Sequence, residues 1–189
     1  MKKNILVPTI ALFLICLVAT TLLAFANSVT APIIEELAVQ TEMESRKKVL
    51  PEADEFLDQN QNGISYAMGI KTDPVLNRPI GYVFTTTAKS YGGEILVMTG
   101  VAPDGKVTGV ELLSINDTAG LGMNATKSEF RSQFLGLVNG IKVMKNSSNP
   151  DNNEITALTG ATITSQAVAD AVNAALADFE TVTGKAGAN

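Results

Sequence analysis

The segment Leu158-Thr159-Gly160-Ala161-Thr162-Ile163-Thr164-Ser165 places four hydroxyl side chains around one glycine, directly ahead of a helix-forming stretch. A helix amino end leaves backbone amides unpaired and carries the positive pole of the helix dipole, so it is a natural seat for phosphate. Gly160 lets a ligand approach the backbone closely, and the Thr164 and Ser165 hydroxyls could hold its oxygens. The same residues have a plainer reading, because Ser and Thr are favoured helix caps. Local physics leaves both readings open.

Composition narrows the chemistry. The 189 residues contain no His and one Cys, Cys16, which excludes zinc sites, haem-ligating His, Ser-His triads and Cys-held iron–sulfur clusters. Redox work by this chain therefore calls for an organic cofactor. A formal charge of −5 and a pI near 4.8 argue against nucleic acid, whose phosphates demand clustered Lys and Arg. The length suits one compact domain once the apolar amino terminus is set aside.

That terminus runs from Asn4 to Ala26 without a charge, long enough to cross a hydrocarbon core as one helix. Lys2 and Lys3 precede it, so the positive-inside rule predicts a cytoplasmic amino terminus and a domain on the other side. Ala24-Phe25-Ala26 also fits a signal-peptide cleavage pattern, although the apolar run is longer than most cleaved signals.

Beyond it, Thr30 and Pro32 predict the start of a helix, with Glu35 and Glu36 in its first turn and Arg46, Lys47 and Lys48 in its last. It reads as a stalk, and Asp58 to Gly63 as a loop. Ile80 to Thr87, Glu94 to Val101 and Val107 to Ser114 read as strands, the last two joined by a turn at Pro103-Asp104-Gly105-Lys106. Phe130, Phe134 and Leu137, with Leu135 and Val138, predict a short amphipathic helix, and Lys145 to Glu154 a polar loop. In the final helix, from Ser165 to Phe179, the stripe Val168, Ala171, Val172, Ala175, Leu176 and Phe179 predicts packing on the sheet. The expected class is α+β: a single transmembrane helix, then antiparallel strands with packed helices.

The string TGATITSQAV resembles the flavinylation motif of the FMN-binding domain family, in which the last Thr of (S/T)GAT bears FMN through a phosphoester. By that resemblance the acceptor is Thr162, preceded by Thr159, Gly160 and Ala161. The family often has Asp three residues before the motif, where this chain has Thr156. Asp117-Thr118-Ala119-Gly120-Leu121-Gly122 resembles the ETPGLG segment of the G-subunit family of the Rnf complex, a ferredoxin:NAD oxidoreductase coupled to cation pumping. Tyr91-Gly92-Gly93 resembles its GYGG element. The C subunit of the sodium-translocating NADH:quinone reductase is related. The order of these pieces along the chain matches the G-subunit pattern throughout.

The resemblance implies a membrane anchor over 1–27, a helical stalk over 28–60 and an extracytoplasmic FMN-binding domain over 61–189. It implies covalent FMN installed by a separate flavin transferase, and partners among the other membrane and peripheral subunits of an Rnf complex in the cell membrane. Tyr91, Leu121 and Gly122 are expected near the flavin. Thr162 is a tether rather than a nucleophile in turnover, since no His, Lys or Asp is recognisable beside it, and no residue is assigned catalysis or a metal. A free-standing extracellular flavoprotein and an anchored, non-catalytic binding module are the competing readings.

Overall fold

The computed structural model describes residues 3–72, 78–146 and 148–184. Lys2 of the positive start, Ser147 of the polar segment and residues 185–189 of the expected domain lie outside them. The chain divides into two units, residues 1–42 and 43–189.

Residues 3–42 of the first unit belong to one helix, α1 (Lys3–Val49). Among the described residues it is the one helix long and apolar enough to cross a membrane. Leu12, Phe13, Ile15, Leu23 and Phe25 are all exposed, as lipid-facing side chains must be and as a soluble helix would avoid. Its hydroxyls are satisfied internally, Thr20 donating to Cys16 O at 2.8 Å, Thr21 to Leu17 O at 2.7 Å and Thr30 to Ala26 O at 2.5 Å. The helix predicted to open at Thr30 and Pro32 is a continuation of α1, with Pro32 in its interior. Pro8 and Pro32 each remove one donor from the helix interior, and the i→i−4 ladder pairs the backbone around them.

The boundaries expected for the stalk shift accordingly. Its first part continues α1 to Val49, and its last part is a strand, β1 (Glu55–Gln61). The loop predicted from Asp58 shrinks to a turn at Asn62 and Gly63, whose φ values are +56° and +82°. β1 is an edge strand with mostly exposed polar side chains, so its sequence, EFLDQNQ, shows no alternation of apolar residues.

Four further strands complete an antiparallel sheet in sequential order: β2 (Ile64–Lys71), β3 (Arg78–Lys89), β4 (Glu94–Val101) and β5 (Val107–Ser114). Both faces of this sheet are covered. On one, Phe84, Ile95, Val97 and Val101 pack with Val168, Ala171, Val172, Ala175, Leu176 and Phe179 of the last helix, α3 (Thr162–Thr183). Each large side chain buried there contributes roughly 1.5–3 kcal/mol. Tyr82 meets Phe179 edge-on at 5.3 Å, and the Thr86 hydroxyl donates to Ala171 O at 2.8 Å.

On the other face, Val49 and Leu50 at the end of α1 pack with Ala53, Ala67, Val83 and Met98. Four glycines make room for them. Gly69 pairs with Gly81 across β2 and β3, and Gly100 with Gly109 across β4 and β5. A Cβ on Gly81 would lie 2.7 Å from Leu50 Cδ1, and one on Gly109 would lie 2.6 Å from Val49 Cα. The sheet thus carries a side-chain-free trough in which the helix end is seated.

The predicted amphipathic helix is a chain of short turns that includes α2 (Ser128–Arg131). Phe130, Phe134 and Leu137 are buried, whereas Leu135 and Val138 are exposed. The polar loop is bracketed by a parallel pair, β6 (Lys142–Met144) and β7 (Glu154–Thr156). Asn153 staples it: its amide nitrogen donates to the Val138 and Asn139 carbonyls at 2.7 and 2.9 Å, while its Oδ1 accepts from the Val138 amide at 3.1 Å.

Candidate functional site

Three loops converge at the amino end of α3. The first, Ser90-Tyr91-Gly92-Gly93, joins β3 to β4 and is closed by the Ser90 amide donating to Gly93 O at 2.7 Å. The second follows β5, where the Leu121 and Met123 amides both donate to Thr118 O at 3.2 Å. The third is the turn Thr159-Gly160-Ala161, in which the Ala161 amide donates to Leu158 O at 3.0 Å. It requires a φ of +76° at Gly160, which glycine adopts without penalty. A Cβ there would also lie 3.1 Å from Leu121 Cδ2, so the second and third loops touch.

One buried carboxylate joins them. Asp117 Oδ2 accepts from the Ser90 and Thr164 hydroxyls, each at 2.5 Å, and Oδ1 accepts from the Gly92 amide at 2.6 Å. Burial alone would push the Asp117 pKa up. The hydrogen bonds from Ser90, Thr164 and Gly92 outweigh it and hold the carboxyl below its ordinary value. Gly122 packs beneath, where a Cβ would stand 2.6 Å from both Asp117 Cβ and Thr164 Oγ1.

α3 starts without a side-chain cap. Its N-cap position is Ala161, and its first backbone bond runs from the Ser165 amide to Ala161 O at 3.0 Å. The amides of Thr162, Ile163 and Thr164 therefore precede the hydrogen-bonded ladder at the positive pole of the dipole. The Thr164 and Ser165 hydroxyls, expected to hold ligand oxygens, are already committed. Thr164 donates to Asp117, and buried Ser165 donates to Ala161 O at 3.0 Å while accepting from the Leu158 amide at 2.9 Å. Each hydroxyl has one proton, so neither is left to donate to a ligand oxygen, and the donors that stay open at this helix start are backbone amides. Thr162 differs: it is exposed, and its hydroxyl forms no hydrogen bond among the described residues.

A cleft of about 490 Å³ opens at this junction, lined by Tyr91, Asp117, Thr118, Leu121 and Gly122 on one side and by residues 160–164 on the other. That volume lies within the usual range for small-ligand sites. Its rim is apolar, with Tyr91 74% exposed, Ile163 58% and Leu121 44%. Tyr91, Leu121 and Gly122, expected on motif alone, are thus gathered with Gly160, Ala161 and Thr162, whereas Thr159 and Ser165 do not line the cleft. A second groove, of about 280 Å³, borders Thr162 elsewhere, with Lys89, Gln166 and Asp170 among its lining residues. The sequence gives no hint of Lys89 or Asp117 beside Thr162, because the end of β3 and the loop after β5, both distant along the chain, bring them there. Asp117 had one signal, its place at the head of the GLG segment. Among the described residues no cluster of His, Cys, Asp and Glu could hold a metal.

Comparison with known proteins fits this geometry. Residues 90–177 match the family model of the FMN-binding domain, a span that contains every residue lining the larger cleft. Over 184 residues the chain is 35% identical to the G subunit of the proton-translocating ferredoxin:NAD(+) oxidoreductase complex of Clostridium ljungdahlii, covering 97% of this chain and 96% of that one. The chain belongs to the G-subunit family. The G subunit of the Na(+)-translocating ferredoxin:NAD(+) oxidoreductase complex of Acetobacterium woodii is also 35% identical, over 89% of this chain and 88% of its own. The G subunit of the ion-translocating oxidoreductase complex of Methanosarcina acetivorans is 29% identical, over 93% and 94%. The fold is that of the C subunit of the Na(+)-translocating NADH-quinone reductase from Parabacteroides distasonis, matched with a TM-score of 0.57 at 17% identity over 77% of this chain and 93% of that one.

Proposed function

We propose that this chain is the flavin-bearing electron-transfer subunit of a membrane-bound ferredoxin:NAD oxidoreductase complex coupled to cation translocation, and that it carries FMN covalently on Thr162. The carrying observation is the unpartnered, exposed Thr162 hydroxyl at the uncapped start of α3, on the edge of an apolar-rimmed cleft within the FMN-binding span.

The residues suit FMN. The cleft offers Tyr91, Leu121 and Ile163 to a flat aromatic ring, and the amides of Thr162, Ile163 and Thr164 to a phosphate. FMN bound there supplies the chemistry, taking up and releasing electrons one or two at a time. Loading is a group transfer catalysed by a separate flavin transferase. The Thr162 oxygen would take the FMN phosphoryl group of FAD, with AMP as the leaving group and the hydroxyl proton released to solvent. A phosphodiester retains one negative charge, which the helix start favours. Once formed, the ester removes any dissociation equilibrium, so the cofactor is retained in an open external compartment. The chain itself binds, orients and anchors.

The apolar part of α1 serves as a single-pass membrane anchor with its amino terminus cytoplasmic and the sheet domain outside, beside the other membrane and peripheral subunits. The test is in-gel ultraviolet fluorescence of denatured protein co-expressed with a flavin transferase. Wild type should fluoresce and Thr162→Ala should be dark; a dark wild type overturns the flavin assignment. Copurification with other membrane subunits after mild detergent extraction tests the complex, and recovery of a lone, fully active protein would favour a free-standing flavoprotein.

A further inference from the structure

Tyr91 is the most exposed large side chain on the cleft, yet the two residues flanking it are fixed. Ser90 is buried and bonded through its hydroxyl to Asp117 Oδ2, and Gly92 is bonded through its amide to Asp117 Oδ1. An exposed aromatic ring on a Gly-Gly turn would ordinarily sample many orientations. Here its backbone is held at both sides by one carboxylate. That carboxylate also holds Thr164, two residues beyond Thr162. The Tyr91 loop and the start of α3 are therefore both bonded to the same side chain.

We infer that Asp117 is a positioning residue that sets the Tyr91 ring over the cleft, at a fixed separation from Thr162, so that the ring stacks on the isoalloxazine of the attached flavin. The inference rests on the flavin reading above and adds a role to it. Gly92 supports the geometry, because a Cβ there would collide with Asn116 O, so the loop has no slack on that side. Gly122 does the same beneath Asp117. Three donors converge on two carboxylate oxygens, an arrangement that an amide cannot replace. Asn supplies one acceptor oxygen and turns an NH₂ group toward at least one of the donors.

Stacked tyrosine quenches flavin fluorescence by electron transfer to the excited ring, so the arrangement can be read optically. Full-length chain loaded with FMN and extracted in detergent is compared as wild type, Tyr91→Ala, Asp117→Asn and the double variant. Fluorescence lifetime is measured on the folded protein, and band intensity on the denatured protein normalises loading. Wild type should be strongly quenched, and Tyr91→Ala should lengthen the lifetime several-fold. Asp117→Asn should lengthen it nearly as much, and the double variant no further than Tyr91→Ala alone. A lifetime unchanged by Tyr91→Ala or by Asp117→Asn overturns the inference, as does a double variant in which the two effects add in full. If Asp117→Asn does not fold, Ser90→Ala decides. Removing that one donor should give an intermediate lifetime, and a wild-type value would refute the role. Loss of the wild-type band in the denaturing gel would count against flavin attachment itself, a different outcome from a band with unquenched flavin.

Discussion

Thr108 in β5 donates its hydroxyl to the carbonyl oxygen of Val49, the last residue of α1, at 2.7 Å. Next to it, Gly109 leaves its Cβ position to the Val49 backbone. Both sides of that contact are main chain, so neither can yield by changing rotamer. Gly109→Ala should therefore cost about 1–3 kcal/mol, the usual penalty of overpacking, and Leu50→Ala about 2–5 kcal/mol through the cavity it leaves. Chemical denaturation read by circular dichroism should show both as lowered midpoints.

Gly122→Ala strikes the cleft instead of the trough. A Cβ 2.6 Å from Asp117 Cβ and Thr164 Oγ1 must displace the carboxylate or the start of α3. Flavin loading should fall more steeply than stability, as seen by comparing band fluorescence with the thermal midpoint; equal falls would point to general unfolding.

Acid should weaken this junction. Asp117 has a folded pKa below the unfolded value of about 3.9, so its ionised form adds stability at neutral pH. That contribution is complete above the unfolded value and is lost as pH falls through the folded one. The stability difference between wild type and Asp117→Asn should be level from about pH 5.5 upward and shrink below about pH 4.

Asp178 on α3 has the opposite sign. Burial raises its pKa, so its charged form costs stability at neutral pH. Asp178→Asn should raise the thermal midpoint at pH 7, and the gain should vanish as pH falls below the unfolded carboxylate value.

Lys89 shares a groove with Thr162 and forms no ion pair among the described residues. A cation there favours a phosphate on Thr162, although Asp170 in the same groove opposes it. An exposed charge interaction of about 0.2–1 kcal/mol corresponds to a change of roughly 1.5- to 5-fold. Lys89→Ala should slow flavin loading by that order, Lys89→Arg should restore it, and high salt should erase the difference.

The sequence reveals α3 and the central strands most clearly, for a common reason. Val168 to Phe179 repeat at the helical period because the helix has one dry side, and the segments 94–101 and 107–114 are dense in β-branched residues around a turn signal. β1 escapes notice because an edge strand buries little. β6 and β7 escape because three residues establish no period, and their pairing depends on a distant stretch of chain. The glycines at 69, 81, 100 and 109 look like turn formers or weak strand positions until the end of α1 occupies the space above them. At the site, motif resemblance singles out Thr162, Tyr91, Leu121 and Gly122, all of which line the cleft. The triple bonding of Asp117 is not encoded in any local pattern, since its partners lie 27, 25 and 47 positions away.

The seating of Val49 and Leu50 in the trough has a practical corollary for where this protein can be cut. The division between its two units falls between Glu42 and Met43, inside a continuous helix, and about the last two turns of that helix belong to the sheet domain. A protease acting between Ala26 and Glu42 would shed the whole domain with its interior intact. Clipping after Leu50, just past the helix end, would pull the plug from that face of the sheet.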